Sequence, residues 1–341
     1  MRSFAARVAT CAVAAVCVAG AVAPAAVADP PPGVVPAATD LVGVGASFTE
    51  RFMNQTSVDY NAGAAPELPR LYNWDATGSS PIVPKAGAAP IARPAGSGAG
   101  IAALASPVSG AALDYARSTR GPLPSDPAGL SFVPFAKDAV TWSAKIGGNA
   151  PADLSIDALK RIYECTLTVW YPGVPNVTIK PVLPSTGSDT RALFLKAIGN
   201  GTSVVPGSCV TTVPFENRGT DPLLDDPNVV FPYSVGVYLD QVYRGHGTTV
   251  EAPGSLTLRG VNGIAPVVFT SVVGINPAFA ATPFGRVVWN VVRTADFNNT
   301  GARGTAVRAV FSRDGWICAH GSAITARGFS PIPDCGAPVN T

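Results

Sequence analysis

Short apolar segments typical of strands alternate with segments typical of helices, and this alternation limits the fold more than any other feature of the sequence. Strands are predicted at 41–45 and 179–183, and Ser155 is a suitable N-cap for a helix at 156–164. Strands that alternate with helices usually form mainly parallel sheets covered by helices. The sequence therefore predicts an α/β fold.

Further elements follow the same alternation. Helices are predicted from Ser47 or Thr49 to about Tyr60, directly after 96–100, and from about Ser188 to Gly199. The other strand candidates are 132–135 paired with 140–143, 233–238, 267–273 buried on both faces, and 287–292. Residues 76–95 are rich in Pro, Gly and Ala, which predicts a loop.

The chain length also bears on its organisation. With 341 residues the chain exceeds what one hydrophobic core usually serves, so two lobes are expected. The predicted division is a signal peptide at 1–28, a disordered tether at 29–39, a first lobe at 40–135 continued at 241–341, and a second lobe at 136–240.

The first residues fit a secretory signal peptide. Arg2 and Arg7 precede an apolar stretch, and small residues at 26 and 28 come just before Asp29. Lipid attachment at Cys17 is the alternative, which the three preceding residues disfavour because they lack the usual leucine. The protein is expected to be secreted or to lie at the cell surface.

Charge is scarce and balanced along the chain. Charged residues make up 13% of the sequence, against about 25% in an average soluble domain, and the net charge is +2. No stretch gathers the basic residues that bind a phosphate backbone, so nucleic acid is not an expected partner. The uncharged segment 260–285 is broken by Pro266, Pro277 and Pro283 into pieces too short to cross a membrane.

Four cysteines follow the predicted signal peptide, and four cysteines allow three pairings. The expected pairs are Cys165 with Cys209 and Cys318 with Cys335, because the members of each pair are close in sequence. No metal or cofactor is expected, since the chain lacks Cys-x-x-Cys and has only two histidines.

Three clusters rich in glycine and hydroxyl side chains precede or begin predicted helices, at 43–48, 96–100 and 187–190. A helix N-terminus offers unpaired N–H groups and a partial positive charge, and glycine lets an anion approach the backbone. Each cluster alone is typical of an ordinary helix cap. Three that converge in one α/β fold predict an uncharged cage of N–H and O–H donors around an oxyanion.

A catalytic interpretation stands beside the binding one. His246, between two glycines, would serve as a base for Ser188 in a hydrolase, although no spacing rule brings the two residues together. Neither the P-loop pattern nor Gly-x-Ser-x-Gly occurs in the chain.

At these clusters the chain resembles a known family, the phosphate-binding solute receptors of bacterial ABC importers within the type 2 periplasmic binding proteins. Residues 43–48, Gly-Val-Gly-Ala-Ser-Phe, resemble the family's opening Gly-Ala-Gly-Ala-Thr-Phe, and 96–101 resembles its Gly-Ser-Ser-Gly-Gly. Residues 187–190, Gly-Ser-Asp-Thr, are similar to its Gly-Ser-Gly-Thr. The resemblance covers most of the mature chain in order.

The resemblance implies a two-lobed fold with a ligand cleft between the lobes. By position it implies ligand contacts from Ser47, Phe48 through its amide, Ser97, Thr119, Ser188, Asp189 and Thr190. Two positions depart from the family pattern, since Thr119 replaces an aspartate and Pro184 stands where the family has an arginine. Arg117, Arg120 or Arg191 would restore the missing positive charge.

The leading hypothesis is an extracytoplasmic binding protein that captures phosphate or a related oxyanion for an ABC importer and performs no chemistry. The alternatives are the secreted hydrolase and an envelope interaction protein of the same fold that has lost its ligand. Asp189 has two interpretations of its own. It either favours the helix dipole and faces water, or it points into the cleft and accepts a hydrogen bond from a protonated anion.

Overall fold

The structure is a computed structural model that describes residues 29–175 and 177–341; the predicted signal peptide at 1–28 lies outside the described residues. The described strands are β1 (Leu41–Gly45), β2 (Leu71–Asn73), β3 (Tyr115–Ser118), β4 (Leu130–Lys145), β5 (Asp153–Leu154), β6 (Lys180–Pro184), β7 (Thr211–Val213), β8 (Val229–Ser234), β9 (Leu256–Leu258), β10 (Gly260–Val261), β11 (Val267–Val268), β12 (Gly274–Ile275), β13 (Gly285–Arg293), β14 (Ser330–Pro331) and β15 (Val339–Asn340).

The described α-helices are α1 (Glu50–Gly63), α2 (Ser97–Ala105), α3 (Ile156–Tyr163), α4 (Asp189–Ile198), α5 (Val235–Tyr243), α6 (Pro277–Ala280), α7 (Thr294–Asn298), α8 (Ala302–Phe311), α9 (Trp316–Ala319) and α10 (Gly321–Ala326). The predicted N-cap Ser155 is confirmed, because its hydroxyl accepts from the N–H of Ala158. The helix predicted from about Ser188 begins there, and the hydroxyl of Ser188 accepts from the N–H of Arg191. The α/β fold predicted from the sequence is confirmed.

One large sheet runs through the molecule in the strand order β2-β1-β3-β13-β4-β8-β6-β7. At one end β1 is parallel to both β2 and β3, and at the other end β6 is parallel to β7 and β8. The central strands β13 and β4 are antiparallel to each other. The two parallel ends each receive helices, which gives the molecule two lobes.

The strand β4 joins the two ends of the sheet. Its residues 130–139 pair with β13, and its residues 140–143 pair with β8. The sequence prediction of two paired strands at 132–135 and 140–143 is wrong, because the residues between them include neither glycine nor asparagine nor proline to form a turn. A single long strand therefore passes from one hydrophobic core to the other.

The first core covers both faces of the sheet around β1. Every residue of β1 is buried, with Val42 and Val44 packed near Ile101 of α2 on one face. Leu41 packs with Phe52 of α1 and with residues of α8 on the other face. Burial of a parallel strand on both faces is the arrangement that a continuous apolar segment favours.

The second core lies around the C-terminal half of β4. Trp142 of β4 packs there with Phe194 of α4, and the cluster includes Val261, Ile275 and Phe279 from the uncharged segment. Residues of β9 also pair with β4 at 143–145. The chain from β9 to α6 thus packs with the second core, whereas the sequence prediction placed it in the first lobe.

Two further sequence predictions are wrong. Residues 233–238 are not a strand, because β8 ends at Ser234 and the hydroxyl of Ser234 caps α5 by accepting from the N–H of Val237. Of residues 267–273 only the first two form a strand, β11, which pairs with β12 in a short hairpin. Phe269 and Val272 in the connection are 72% and 51% exposed. Short apolar runs do not distinguish a strand from a helix or a hairpin by themselves.

The predicted tether at 29–39 lies against the loop 76–95. The carboxylate of Asp29 accepts two hydrogen bonds of 2.8 Å from the guanidinium of Arg93. The N–H of Ala86 donates to the carbonyl of Pro36 at 2.8 Å. These contacts order the segment in place of the disorder expected from its composition.

Both expected disulfides are present. Cys165 is bonded to Cys209 beside the second core, and Cys318 to Cys335 beside the first. Each bond stays within one lobe. Within 29–175 and 177–341, no helix combines the length and the apolar character that a membrane crossing needs.

A buried ion cluster attaches the loop 76–95 to the first lobe. Asp114, 1% exposed, accepts from the N–H of Val42 at 2.6 Å and from the ammonium of Lys85 at 2.6 Å. The guanidinium of Arg303 donates to the other oxygen of the same carboxylate.

The variant Asp114→Ala is expected to lower the free energy of unfolding by about 3–5 kcal/mol, because it leaves Lys85 buried without its counter-ion. Urea denaturation measures the difference. The control Lys160→Ala breaks an exposed i,i+4 pair with Glu164 and is expected to change it by less than about 0.5 kcal/mol. Equal effects of the two variants would contradict the assignment.

Candidate ligand-binding cleft

A cavity of about 530 Å³ lies between the two parallel ends of the sheet. All three glycine and hydroxyl clusters reach it, and the predicted residues in its wall are Ser47, Phe48, Gly96, Gly187, Ser188 and Asp189. The convergence expected from the sequence therefore takes place. We call this cavity the cleft.

Tight turns bring the first two clusters to the cleft. Gly45 at the end of β1 has φ 119°, and a Cβ there would lie 2.6 Å from the carbonyl oxygen of Arg117. Gly96 has φ 87° and precedes Ser97, the first residue of α2. Only glycine adopts these conformations without strain. Ser47, at the start of the short 3-10 helix before α1, and Ser97, at the start of α2, therefore both follow a tight turn.

The hydroxyls of Ser47 and Ser188 hold a carboxylate of the chain itself. Ser47 Oγ donates to Oε1 of Glu216 at 2.6 Å, and Ser188 Oγ donates to Oε2. The backbone N–H of Thr190 also donates to Oε2, at 3.3 Å. We call these three donors the anion cage, since together they bind both oxygens of one carboxylate.

Ser97, Thr119 and Asp189 form a second group beside the anion cage. Ser97 Oγ donates to Oδ2 of Asp189 at 2.7 Å and accepts from the N–H of Thr119 at 3.1 Å. Ser97 and Thr119 are buried. Asp189 therefore points into the cleft, toward the position where the family pattern has an aspartate, and not into water.

Two predicted contacts are arranged differently from the expectation. The side chain of Thr190 is fully buried, and its Oγ1 accepts from Asn217 at 3.5 Å, so this residue reaches the cage through its backbone. The ring of Phe48 forms a wall of the cleft and packs 3.9 Å from the guanidinium carbon of Arg286. Such a cation–π contact stabilises the ring in one orientation.

The arginines proposed to restore positive charge do not line the cleft. Arg117 is fully buried and donates to the carbonyls of Ala46 and Trp74, at 2.8 and 2.9 Å. Arg120 pairs with Asp126, and Arg191 donates to the carbonyl of Pro184 at 2.9 Å. Each of the three therefore stabilises a local turn or loop.

Besides Glu216, four charged residues that the sequence analysis missed line the cleft: Glu50, Arg51, Arg218 and Glu251. Arg51 is paired with Glu251 at 2.5 Å, and Arg218 lies 5.3 Å from the centre of the Phe215 ring. Together with Glu216 they come from α1 and from two loops that contain no recognisable motif. Only the folded chain brings them to the three clusters.

Glu50 is a buried carboxyl at one end of the cleft. Burial and, to a smaller extent, the neighbouring Asp75 raise its pKa to about 8, although Arg117 acts in the opposite direction. Burial also raises the pKa of Asp75, to about 6. Glu50 is therefore mainly protonated and uncharged at neutral pH.

The hydrolase arrangement is not formed. His246 Nδ1 lies 2.6 Å from Asp240 Oδ1, while the hydroxyl of Ser188 is bonded to Glu216. Among residues 29–175 and 177–341, no three His, Cys, Asp or Glu side chains are grouped to hold a metal ion.

A family model of the PBP superfamily domain matches residues 35–262, which include all three clusters. The chain belongs to the periplasmic binding protein (PBP) superfamily. No curated protein sequence matches this PBP-superfamily chain significantly.

Solved structures show the same fold. An ABC-type phosphate transport receptor from Vibrio cholerae has 16% identity and a TM-score of 0.57, over 86% of this chain and 100% of that one. A protein from Clostridium perfringens, assigned as a phosphate ABC transporter substrate-binding protein and solved with bound phosphate, has 15% identity and a TM-score of 0.56, over 86% and 99%. The two-lobed PBP fold expected from the sequence is confirmed.

The raised pKa of Glu50 makes the stability of this PBP-superfamily protein depend on pH. Below the ordinary glutamate pKa of 4.5 the carboxyl is protonated both folded and unfolded. Between 4.5 and about 8 the unfolded chain loses the proton and the folded chain keeps it, so stability falls as pH rises.

The variant Glu50→Gln is expected to remove this contribution, which amounts to about 1.4 kcal/mol per pH unit at most. Thermal unfolding from pH 5 to pH 8 should therefore show a smaller decline in the variant than in the wild type. Parallel declines in the two proteins would show that Glu50 is ionised in the folded state.

Proposed function

We propose that this protein is an extracytoplasmic solute-binding protein that captures phosphate or a related oxyanion for an ABC importer, without chemical change of the ligand. The observation that carries the proposal is the anion cage, in which donors from both lobes already bind a carboxylate. Donors held at helix starts are suited to oxyanions because they are oriented before the ligand arrives. The phosphate-bound relative with the same fold supports phosphate as the ligand.

The proposed ligand contacts are Ser47, Phe48 through its amide, Ser97, Thr119, Ser188, Asp189 and the backbone of Thr190. Asp189 has a distinct role in this set. Phosphate keeps a proton near neutral pH and donates it to the Asp189 carboxylate, whereas sulfate has no proton to donate. An acceptor that faces a ligand oxygen without a proton between them is strongly unfavourable, so Asp189 selects phosphate over sulfate.

The variant Asp189→Asn tests this selectivity by isothermal titration calorimetry with phosphate and with sulfate. The amide donates where the carboxylate only accepts, so sulfate affinity should rise by about tenfold or more and phosphate affinity should fall. The matched control is Asp157→Asn, which changes an exposed first-turn aspartate of α3 and should leave both affinities unaltered. An unchanged ratio of phosphate to sulfate affinity in Asp189→Asn would refute the role.

One observation favours a second candidate, an interaction protein of the same fold that no longer binds a ligand. The hydroxyls of Ser47, Ser97 and Ser188 all donate to carboxylates of the chain itself. A panel of anions separates the two candidates through thermal unfolding. A ligand at about 100 times its dissociation constant adds roughly 2.7 kcal/mol of stability, whereas the second candidate predicts no rise with any anion.

A further inference from the structure

Glu216 binds where the proposed ligand would bind. Its carboxylate accepts from Ser47 in the first lobe, and from Ser188 and the N–H of Thr190 in the second. Ser47 belongs to the cluster 43–48, and Ser188 and Thr190 belong to the cluster 187–190. No cage donor can therefore bind an external anion while Glu216 stays in place.

The backbone next to Glu216 is held in place by the hydrogen bonds of Asn217, and only the side chain of Glu216 extends from it into the anion cage. Asn217 is buried, and its carbonyl accepts from the hydroxyl of Tyr233 at 2.6 Å and from Gln241 at 3.0 Å. Its side chain accepts from the N–H of Ser234 at 2.7 Å. Rotation of the Glu216 side chain alone is enough to empty the anion cage, without movement of the loop.

We infer that Glu216 is a tethered competitor of the ligand, which occupies the anion cage until an anion with more than two oxygens displaces it. The inference rests on the proposed function, because it concerns the same cage. A group on a short tether acts at an effective concentration of about the millimolar range. A free monocarboxylate offers the cage the same two oxygens as Glu216 and gains nothing that offsets this advantage.

A protonated phosphate makes more hydrogen bonds in the cleft than a carboxylate does. Its P–OH group donates a hydrogen bond to the Asp189 carboxylate in place of Ser97. The Ser97 hydroxyl is thereby released from its present 2.7 Å bond to Asp189. Ser97 then donates to an oxygen of the phosphate, in addition to the bonds taken over from Glu216. Glu216 thus excludes carboxylates and sets the affinity for phosphate.

The displaced carboxylate meets a cation in the same cleft. Arg218 lines the cleft two residues along the chain, and its buried Nε has no hydrogen-bond partner within the described residues. An ion pair with this guanidinium keeps the released charge of Glu216 away from the bound anion.

Calorimetric titrations of phosphate and of acetate into four proteins test the inference: wild type, Glu216→Gln, Glu216→Ala and the control Glu67→Gln, which changes an exposed loop glutamate. Removal of a competitor that occupies about nine tenths of the molecules lowers the apparent dissociation constant about tenfold. Both Glu216 variants should therefore bind phosphate about tenfold more tightly than the wild type and the control. Acetate should bind only to Glu216→Ala, where it replaces the missing carboxylate.

The outcomes separate this inference from the proposed function. If the wild type binds phosphate and the Glu216 variants bind it equally or more weakly, Glu216 is not a competitor, while the proposed function stands. If acetate binds to Glu216→Ala and no protein binds phosphate, the competitor role stands and phosphate is the wrong ligand. If none of the proteins binds either anion and their melting curves are native, both proposals are wrong. Should Glu216→Ala fail to fold, the phosphate affinity of Glu216→Gln decides alone.

Discussion

The carboxylate of Asp138 ties together the segments that meet between the two lobes. It is fully buried in the middle of β4, opposite Arg286 of β13, whose Nε donates to it at 3.0 Å. The same carboxylate accepts from the N–H of Gly236 at 2.8 Å and from the hydroxyl of Ser234 at 3.1 Å, where β8 passes into α5. Removing one partner of a buried ion pair is far more disruptive than removing both, so these segments depend on one another.

This junction also reaches the cleft. The guanidinium of Arg286 packs against the ring of Phe48, which forms part of the cleft wall. The orientation of the Phe48 ring in the cleft wall therefore depends on the position of Arg286. The ion pair between Asp138 and Arg286 is thus connected, through the Phe48 ring, to the place where the ligand is proposed to bind.

Features that depend on neighbouring residues were predictable from the sequence, and those that depend on distant residues were not. The cap at Ser155 and the helix start near Ser188 were recognised because a cap is determined within one turn of the chain. The disulfide pairs followed from short sequence separation. The clusters at 43–48, 96–100 and 187–190 indicated a cage for the same local reason.

Glu216 is a cleft residue that local sequence patterns do not reveal. It is 169 residues from Ser47 in sequence, and nothing in its own segment distinguishes it from an exposed loop glutamate. The prediction for the arginines was wrong for the opposite reason. Arg117 is close in sequence to Thr119, but its donors are taken by carbonyls such as that of Ala46. Charge in the cleft is thus decided by tertiary contacts. For the same reason the pKa of Glu50 is raised by its burial and by the neighbouring Asp75, against the opposing effect of Arg117.

The contacts of Asp29 and Pro36 make the segment 29–39 part of the folded unit. Because Asp29 is bonded to Arg93 and Pro36 to Ala86, this segment packs on the first lobe. The loop 76–95 that it covers is held in turn by Asp114, which binds Lys85. A shortened protein that began at β1 would therefore leave the guanidinium of Arg93 without its counter-ion and the loop 76–95 without part of its support.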